Sequence, residues 1–358
     1  MAELKKTYLG TAWKKLKTNK TAMAGLMVIM LAVFVALFAY WLAPDHSPFA
    51  NRMMVEIGGK KPGYRQRFLV LADSVATSSN FFTRTFSGEK DYDQYIPIND
   101  YQLKGDSIAV NVFLDEGVSA PATFNVSDKK YHIADRIFLL GTDKFGRDIL
   151  SRLIIGTRVS LSVGMIAVII SLLIGVTLGA LAGYYKGRTD AVIMWLINVI
   201  WTMPTLLLVF AITLAMGKGF WQVFVAVGLT LWVNVARLIR GQVLGIRELE
   251  YVEAARSLGY SHSRIIIRHI LPNLAGPVMV IAASNFASAI VIEAGLSFLG
   301  AGVQSPQPSW GLMIRENYNF IITHNPFLAI VPGLTIMLLV LAFNMLGNGL
   351  RDALDVRG

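Results

Sequence analysis

The residues whose types and spacing most clearly indicate a function lie in a polar stretch, Glu250–Asn273, between the fourth and fifth of six apolar segments. Helix-forming residues lead up to Gly259, which can adopt the left-handed conformation that ends a helix. Ser261 or Ser263 can cap a second helix, and Pro272 suits the first turn of the segment that follows. The pattern predicts a helix, a turn and a second helix.

The chemistry of this stretch is that of protein binding. Two adjacent alanines form a small-residue face against which another protein can pack closely, and the glutamate before them gives that face a negative charge. Together with the glycine turn and the later Leu-Pro pair, these residues predict a docking surface for another protein. The residues are Glu253, Ala254, Ala255, Gly259, Leu271 and Pro272.

Catalytic motifs are absent from the chain. It has no GxxxxGK[ST] loop to hold a nucleotide phosphate, no HExxH pair, no GxSxG turn and no cysteine. Gly295 and Ser297 lack the second spaced glycine and the partnered base of a serine nucleophile. The five histidines are scattered, at His46, His132, His262, His269 and His324. We therefore predict no catalytic residue, no cofactor and no metal site.

Charged residues in or beside apolar segments are further candidates. Glu293 lies late in the fifth segment, where a charge costs roughly 2.5–3.5 kcal/mol on insertion scales. It is either a pathway residue that attracts a solute amine or a carboxylate near the outer interface that is paired or exposed to water. Asp143, Arg147 and Asp148 precede the second segment. They form either a gate against a partner protein or a turn held by local pairs.

Six uncharged segments predict a polytopic membrane protein. Of the 358 residues, 54% are hydrophobic and only 16% are charged, against about 25% in soluble domains, and the mean hydropathy is +0.53. A membrane span needs about 20 apolar residues. The prolines within the segments, Pro204, Pro277 and Pro332, are expected to be compatible with helices, and Asn344 and Asn348 to pack against neighbouring helices. The segments are Thr21–Pro44, Val159–Tyr185, Ala191–Gly217, Gly219–Ala236, Ile270–Ile292 and Asn325–Leu350.

Charge predicts the orientation of the spans. Residues 45–139 hold 11 of the 33 basic and 12 of the 23 acidic residues, a net of −1, so the rest of the chain carries 22 basic against 11 acidic residues, a net of +11. With the N-terminus inside, the basic loops and the C-terminus all fall on the cytoplasmic side, as the positive-inside rule requires. The net charge therefore needs no nucleic acid to explain it. Residues 1–20 are either an amphipathic helix on the membrane surface, with Leu4, Tyr8, Trp13 and Leu16 near helical spacing, or a solvated basic tail.

A water-facing insert, residues 45–139, separates the first span (21–44) from the remaining five (140–358). Its turn residues and its period-two run Ile108–Phe113 predict short β-strands. A small core is expected from Phe68, Leu69, Val70, Leu71, Ile108, Val110, Val112, Phe124 and Ile133.

The docking stretch resembles the cytoplasmic loop of permease subunits of ATP-binding-cassette importers. Glu253-Ala254-Ala255, Gly259 and Leu271-Pro272 match the family's EAA, G and LP signature at the required separations. His269 stands where the general pattern has isoleucine, a departure that the peptide-transporting branch commonly shows. The loop of about residues 246–272 is thereby identified as the element that couples the spans to ATPase subunits.

Three further stretches resemble the dipeptide, oligopeptide and nickel branch of this family, and within it the second, oligopeptide-permease-C-like subunit. They are Leu140–Gly164, Gly295–Gly311 and the C-terminal Phe343–Asp355, where Asn348 replaces a usual aspartate. The resemblance covers Trp13–Pro44 and Leu140–Gly358. The insert lies outside it and is expected to be a lineage-specific addition.

The resemblance implies an all-α polytopic fold of the type I importer permeases, with six transmembrane helices and a small β-rich extracytoplasmic insert. It implies uptake of di- or oligopeptides, or of a related small solute, by a subunit that is not itself an enzyme. The implied partners are a second permease in a heterodimer, two ATPase subunits, an extracytoplasmic binding protein and the lipid bilayer. The implied location is the inner membrane, with both termini in the cytoplasm.

Two alternatives remain open. A secondary transporter or channel that works without ATP would show intramembrane charges or broken helices. The insert, in turn, is either a docking platform for the binding protein or a passive cover for the partner's outer loops.

Overall fold

The computed structural model describes residue 10 and residues 13–72, 80–89, 92–125, 130–217, 219–322 and 325–354. The chain forms two compact units. The helical unit comprises Met1–Ala32, Ser160–Gln304 and Ile336–Gly358. The sheet unit comprises Val33–Val159 and Ser305–Thr335.

The first predicted span is helical. Residues 13–18 form a turn of helix, followed by α1 (Lys20–Leu37) and the short α2 (Ala39–Leu42). In the described part of the leader, Leu16 is buried and packs in a small cluster with Ala22 and Ala353. Leu4 and Tyr8 lie outside the described residues, so the predicted surface helix stays a prediction.

The predicted β-rich insert is a five-stranded antiparallel sheet. Its strands are β1 (Tyr64–Leu71), β2 (Gln94–Lys104), β3 (Ser107–Asp115), β4 (Val118–Asn125) and β5 (Tyr131–Phe138), with helix α3 (Phe81–Ser87) between β1 and β2. The strand order is β4-β3-β2-β1-β5. At 8 to 11 residues the strands are longer than the short strands expected from the sequence.

The sheet buries the apolar residues that were predicted to form its core. Ile108, Val110, Leu69 and Leu71 pack on one side of the sheet, because alternate residues of a strand point to opposite faces. Their neighbours Phe68 and Val70 pack in a second cluster on the other side. Strand β1, which lies between β2 and β5, is therefore buried on both faces, and the predicted core of the insert is confirmed. The remaining predicted core residues, Val112, Phe124 and Ile133, are partly buried at its edge.

The second and fourth predicted spans are single helices. Helix α4 (Ile149–Tyr185) begins ten residues before the predicted start at Val159 and has 37 residues, which is about 55 Å of helix. The third span consists of α5 (Gly187–Trp201) and α6 (Thr205–Met216). Helix α7 (Phe220–Ile246) has 27 residues, so the fourth span is longer than the apolar run that predicted it.

The prediction of one continuous third span over Ala191–Gly217 is wrong. Helices α5 and α6 meet at 92°, and Pro204 occupies the N-cap position of α6. Proline has no N–H for an intrahelical bond and disfavours the helical conformation of the residue before it. Pro204 therefore ends α5 instead of fitting within a helix. Pro277, in the first turn of the next span, and Pro332, inside the last helix, are accommodated as expected.

The remaining elements carry the coupling loop and the last two spans. They are α8 (Glu250–Ser257), α9 (His262–Ile265), a π-helical turn (Ile266–Ile270), a 3-10 turn (Leu271–Leu274), α10 (Ala275–Leu299), α11 (Trp310–Asn317) and α12 (Phe327–Leu354). Among the described residues, five helical segments are long and apolar enough to cross a membrane, or six if the bent pair is one span.

A ladder of glycines joins α4 to α7 within the helical unit. Gly175, Gly179 and Gly183 recur every four residues, and a β-carbon on any of them would lie 2.5–2.8 Å from atoms of Val235, Ala236 or Arg240. Small residues at this spacing let helix backbones approach closely, which is the main source of helix association in lipid. Helices α4 and α7 are therefore closely packed against each other, and together they support the loop that follows α7.

Candidate functional site

The predicted helix, turn and second helix are present. Helix α8 ends at Ser257, and Gly259 has a φ of +74°, the left-handed conformation that glycine adopts at least cost. Ser261 occupies the N-cap of α9, but its side chain makes no capping hydrogen bond. Pro272 lies in the 3-10 turn that leads into α10.

The inner face of the loop is fixed to the ends of two spans. Val252 and Ala255 of α8 are buried in one apolar cluster with Val243 of α7 and with Ile265 and Ile270. The buried side of α8 is therefore packed against the end of α7 and against the chain leading into α10.

The predicted small-residue face needs a correction. Ala255 is only 3% exposed and belongs to the inner cluster, because adjacent helical residues are about 100° apart around the axis. Glu253, Ala254 and Gly259 are exposed, and Leu258 is 72% exposed. The free surface therefore includes one of the two alanines, Leu258, the glycine turn and charged side chains of both signs, since Glu250 and Arg256 are exposed beside Glu253.

Polar contacts hold the two sides of the loop together. Asn273 donates from Nδ2 to the Tyr251 hydroxyl at 2.9 Å and to the His269 carbonyl at 2.7 Å. Burial raises the pKa of the Tyr251 phenol, so the hydroxyl stays protonated at neutral pH. Residue 269, where this chain departs from the general family pattern, thereby contributes its backbone to the link between α8 and α10.

The start of α9 is tied to the end of α4. The Tyr184 hydroxyl and Nδ1 of His262 are 2.9 Å apart, and Arg247 donates to the Tyr184 carbonyl. At the surface, Lys186 pairs with Glu248 at 2.8 Å, and this hydrogen bond lowers the pKa of the Glu248 carboxyl. The predicted coupling loop is therefore anchored to three spans.

A second site, in the sheet unit, is a buried cluster of four charges. Arg147 Nε lies 2.6 Å from Asp143 Oδ2, and Arg147 Nη2 lies 2.7 Å from Glu316 Oε2. Arg152 Nη2 approaches the same Glu316 oxygen at 3.0 Å. Both arginines and Asp143 are at most 1% exposed. The cluster joins the start of α4 to α11.

The turn before α4 is built on two aspartates. Asp143 Oδ1 accepts the backbone N–H groups of Phe145 and Arg147 at 2.9 and 3.0 Å. Asp148 Oδ2 accepts the backbone N–H of Ser151 at 2.8 Å and also its hydroxyl. Burial raises the pKa of the Asp148 carboxyl, and the hydrogen bonds from Ser151 oppose that shift. The stretch thus forms a turn with local pairs and also a long-range contact to Glu316, and its role as a gate against a partner protein stays a prediction.

Sequence reasoning missed Glu316, although it lies only a few residues beyond a stretch already recognised. In that stretch Trp310 is buried, donates to the Leu153 carbonyl at 3.1 Å and covers Gly156. Two stretches that are far apart in the sequence thus meet in the sheet unit. The sequence held no signal for this contact, because Asp143 and Asp148 already provide two carboxylates beside the two arginines.

The remaining candidates lie in the helical unit. Glu293 is fully buried and accepts a hydrogen bond of 2.7 Å from the Ser297 hydroxyl, which in turn accepts the Val303 N–H. A solute could contact Glu293 only after a helix movement, so its predicted pathway role stays a prediction. Asn344 and Asn348, predicted to pack against helices, are instead exposed.

A metal centre is not among the candidate sites. No group of three or more His, Asp or Glu side chains could hold a metal ion within the residues that the structure describes. His324 lies outside them.

Comparison with protein families gives two matches. Residues 175–357, half of the chain, match the model described as binding-protein-dependent transport system inner membrane component. Residues 7–54 match the N-terminal transmembrane domain of oligopeptide transport permease C. The first match contains the whole coupling loop, and the second contains the first span.

Three similar proteins extend these matches. The glutathione transport system permease protein GsiD of Pectobacterium atrosepticum is 45% identical over 216 residues, 60% of this chain and 71% of that protein. The oligopeptide transport system permease protein OppC of Bacillus subtilis is 40% identical over 215 residues, 60% of this chain and 70% of that protein.

The third relative changes the interpretation of the insert. The di/tripeptide transport system permease protein DppC of Pseudomonas aeruginosa is 34% identical over 343 residues, 96% of this chain and 90% of that protein. An alignment of that extent runs across residues 45–139. The expectation that the insert lies outside the resemblance is therefore wrong for this relative.

Proposed function

Because the chain belongs to the family of binding-protein-dependent transport system inner membrane components, we propose that the exposed face of α8 and its glycine turn receive the ATPase subunits. The chain is a permease subunit of an ATP-binding-cassette importer and a multi-pass inner membrane protein. It is a non-catalytic subunit, and ATP hydrolysis takes place on separate subunits.

The observation that carries the proposal is the division of α8 into two faces. One face is buried against both neighbouring spans, and the other presents Glu253, Ala254 and Leu258 to solvent. A leucine that is 72% exposed at a helix end, beside a residue too small to obstruct close approach, suits insertion into a groove of another protein. The surface is thus exposed for binding and rigid enough to transmit force.

The mechanism is alternating access. ATP binding closes the two ATPase subunits and displaces α8, and the cluster around Val252 passes this displacement to α7 and α10. Such coupling requires different contacts at α8 in the two states, since a ligand shifts an equilibrium only through its differential affinity. The break between α5 and α6 gives the helical unit a joint at which helices can pivot.

The partners follow from the same assignment. A second permease completes the pathway as a heterodimer, two ATPase subunits bind the coupling loops, and an extracytoplasmic binding protein delivers the solute. The distribution of lysine and arginine supports cytoplasmic termini. It also supports an extracytoplasmic insert, whose role as docking platform or passive cover stays a prediction.

Di- and tripeptides are the solutes best supported. The relative whose alignment includes the insert is a di/tripeptide permease, and the other two are permeases for oligopeptides and glutathione. All these solutes are small molecules with amide and carboxylate groups. The proposed solute of this chain is therefore a short peptide.

Cross-linking tests the docking face directly, because the chain contains no cysteine. In the assembled transporter, Leu258→Cys should cross-link to an ATPase subunit with a short bifunctional thiol reagent, and the yield should change when ATP is added. Ala255→Cys is the matched control, since that position is 3% exposed and should give no product. Absence of a product from both Leu258→Cys and Ala254→Cys would contradict the docking assignment.

A further inference from the structure

A cavity in the helical unit opens between three spans at the end that bears the coupling loop. It has a volume of about 540 Å³ and lies between the end of α7, the first half of α10 and the end of α12. Asn344, one of its lining residues, is ten residues from the end of α12, so the cavity extends about 15 Å along the helices. Its volume is within the range of small-molecule sites, roughly 300–1,000 Å³.

Polar side chains from all three helices line the cavity. Gln242 comes from α7 and Ser284 from α10. Asn344, Asn348 and Arg351 come from α12, where spacings of four and three residues place them on one face. All five are exposed.

The hydrogen-bonding capacity of this lining is unused. Among the residues that the structure describes, the side-chain amides of Gln242, Asn344 and Asn348 have no hydrogen-bond partner. An amide placed in hydrocarbon without a partner costs several kcal/mol, roughly 2–7 depending on the reference state. Three such amides converging on one cavity therefore indicate polar contents, which are water, a polar solute or polar groups of another molecule.

The charge of the lining distinguishes between the possible polar occupants of the cavity. Among the described residues that line the cavity, Arg351 is the only charged one. Its guanidinium presents donors in a planar fork that matches a carboxylate, and amide side chains pair with peptide N–H and C=O groups. The backbone groups of a partner permease's membrane helix are already paired, so such a helix could reach Arg351 only through an acidic side chain. The lining therefore suits a short peptide with a free C-terminus better than it suits a packed helix.

We propose that this cavity is a binding site for a short peptide on its way to the cytoplasm, with the amides of Gln242, Asn344 and Asn348 on the peptide backbone and Arg351 on its C-terminal carboxylate. The proposal rests on the function proposed above and assigns residues to the solute pathway. It also explains why two asparagines with no structural partner occupy the last turns of a membrane helix.

Single cysteines in the cysteine-free chain test the cavity. The variants Ser284→Cys and Asn344→Cys, in the assembled transporter in nanodiscs, are treated with a negatively charged thiol reagent, and the label on this subunit is followed over time. The matched controls are Met279→Cys and Leu338→Cys, which are 38% and 53% exposed in the wild-type helices. They lie about 140° and 120° around the same helices from the test positions.

We expect labelling at the two cavity positions at least tenfold faster than at the two controls. An excess of di- and tripeptides with free C-termini should slow it several-fold, and the same peptides amidated at the C-terminus should slow it less. In an Arg351→Gln background, that difference between free and amidated peptides should disappear, whereas Arg351→Lys should keep part of it.

Three results would overturn the proposal: equal rates at all four positions, no protection by either peptide mixture, or equal protection by both. ATPase activity stimulated by the binding protein is measured on the same samples. If that stimulation is intact while labelling fails, the cavity assignment alone is wrong. If the wild-type complex shows no stimulation, the proposed function is wrong.

Discussion

Glu253→Lys is expected to reduce ATP-driven uptake at least tenfold while the chain still folds and inserts in the membrane. The side chain is exposed on the outer face of α8, so the substitution removes no packing in the helical unit. It reverses the charge at the centre of the proposed docking face. Reversing a charge where partners are complementary places like charges together, which costs several kcal/mol in an interface.

The measurement compares uptake and the amount of ATPase subunits that copurify with the permease. The matched control is Glu248→Lys, the same change five residues earlier, where the carboxylate is 62% exposed and pairs with the exposed Lys186 and the partly buried Arg247. Exposed pairs contribute little, so the control should retain uptake. Normal uptake in Glu253→Lys, or an equal loss in both variants, would remove the support for this docking face.

Glu316→Gln is expected to destabilise the sheet unit by about 3–5 kcal/mol. One oxygen of Glu316 receives both Arg147 and Arg152, at 2.7 and 3.0 Å. Without this charge, Asp143 alone would face two buried guanidinium groups. A buried charge that loses its counter-ion is much more costly than an exposed one, because water cannot replace the lost partner.

Thermal unfolding in detergent, followed by tryptophan fluorescence, measures this effect. A loss of this size should lower the midpoint by about 10 °C. Asp135→Asn is the matched control, since it also converts a carboxylate of the sheet unit to an amide. Its pair with Arg67 is exposed on both sides, so its midpoint should stay unchanged. Equal midpoints for Glu316→Gln and the wild-type chain would show that the cluster does not hold α11 to α4.

The sequence predicted the parts of the fold that depend on local pattern. Apolar runs gave the positions of the spans, and alternation gave the strands around Ile108, because burial in a bilayer or under a sheet imposes a short repeat. Gly259 was predicted for the same reason, since a left-handed turn demands glycine locally. These features need no knowledge of distant contacts.

Features that depend on a backbone clash within an apolar run, or on contacts between residues far apart in the sequence, were not predicted. Pro204 lies in an uncharged run, and hydropathy does not register the backbone clash that bends the chain there. Glu316 meets Arg147 only after folding brings together positions that are 169 residues apart. The exposure of Asn344 depends on how α7, α10 and α12 spread around the cavity, which a single helix pattern cannot show.

Transport by the assembled complex is expected to be driven by ATP. Proteoliposomes that contain this chain, its partner permease, the ATPase subunits and the binding protein should take up di- or tripeptides only when ATP is supplied, and dissipating ion gradients should leave the rate unchanged. Uptake that persists without ATP and follows an ion gradient would contradict the account and identify the broken span of α5 and α6 with a secondary transporter.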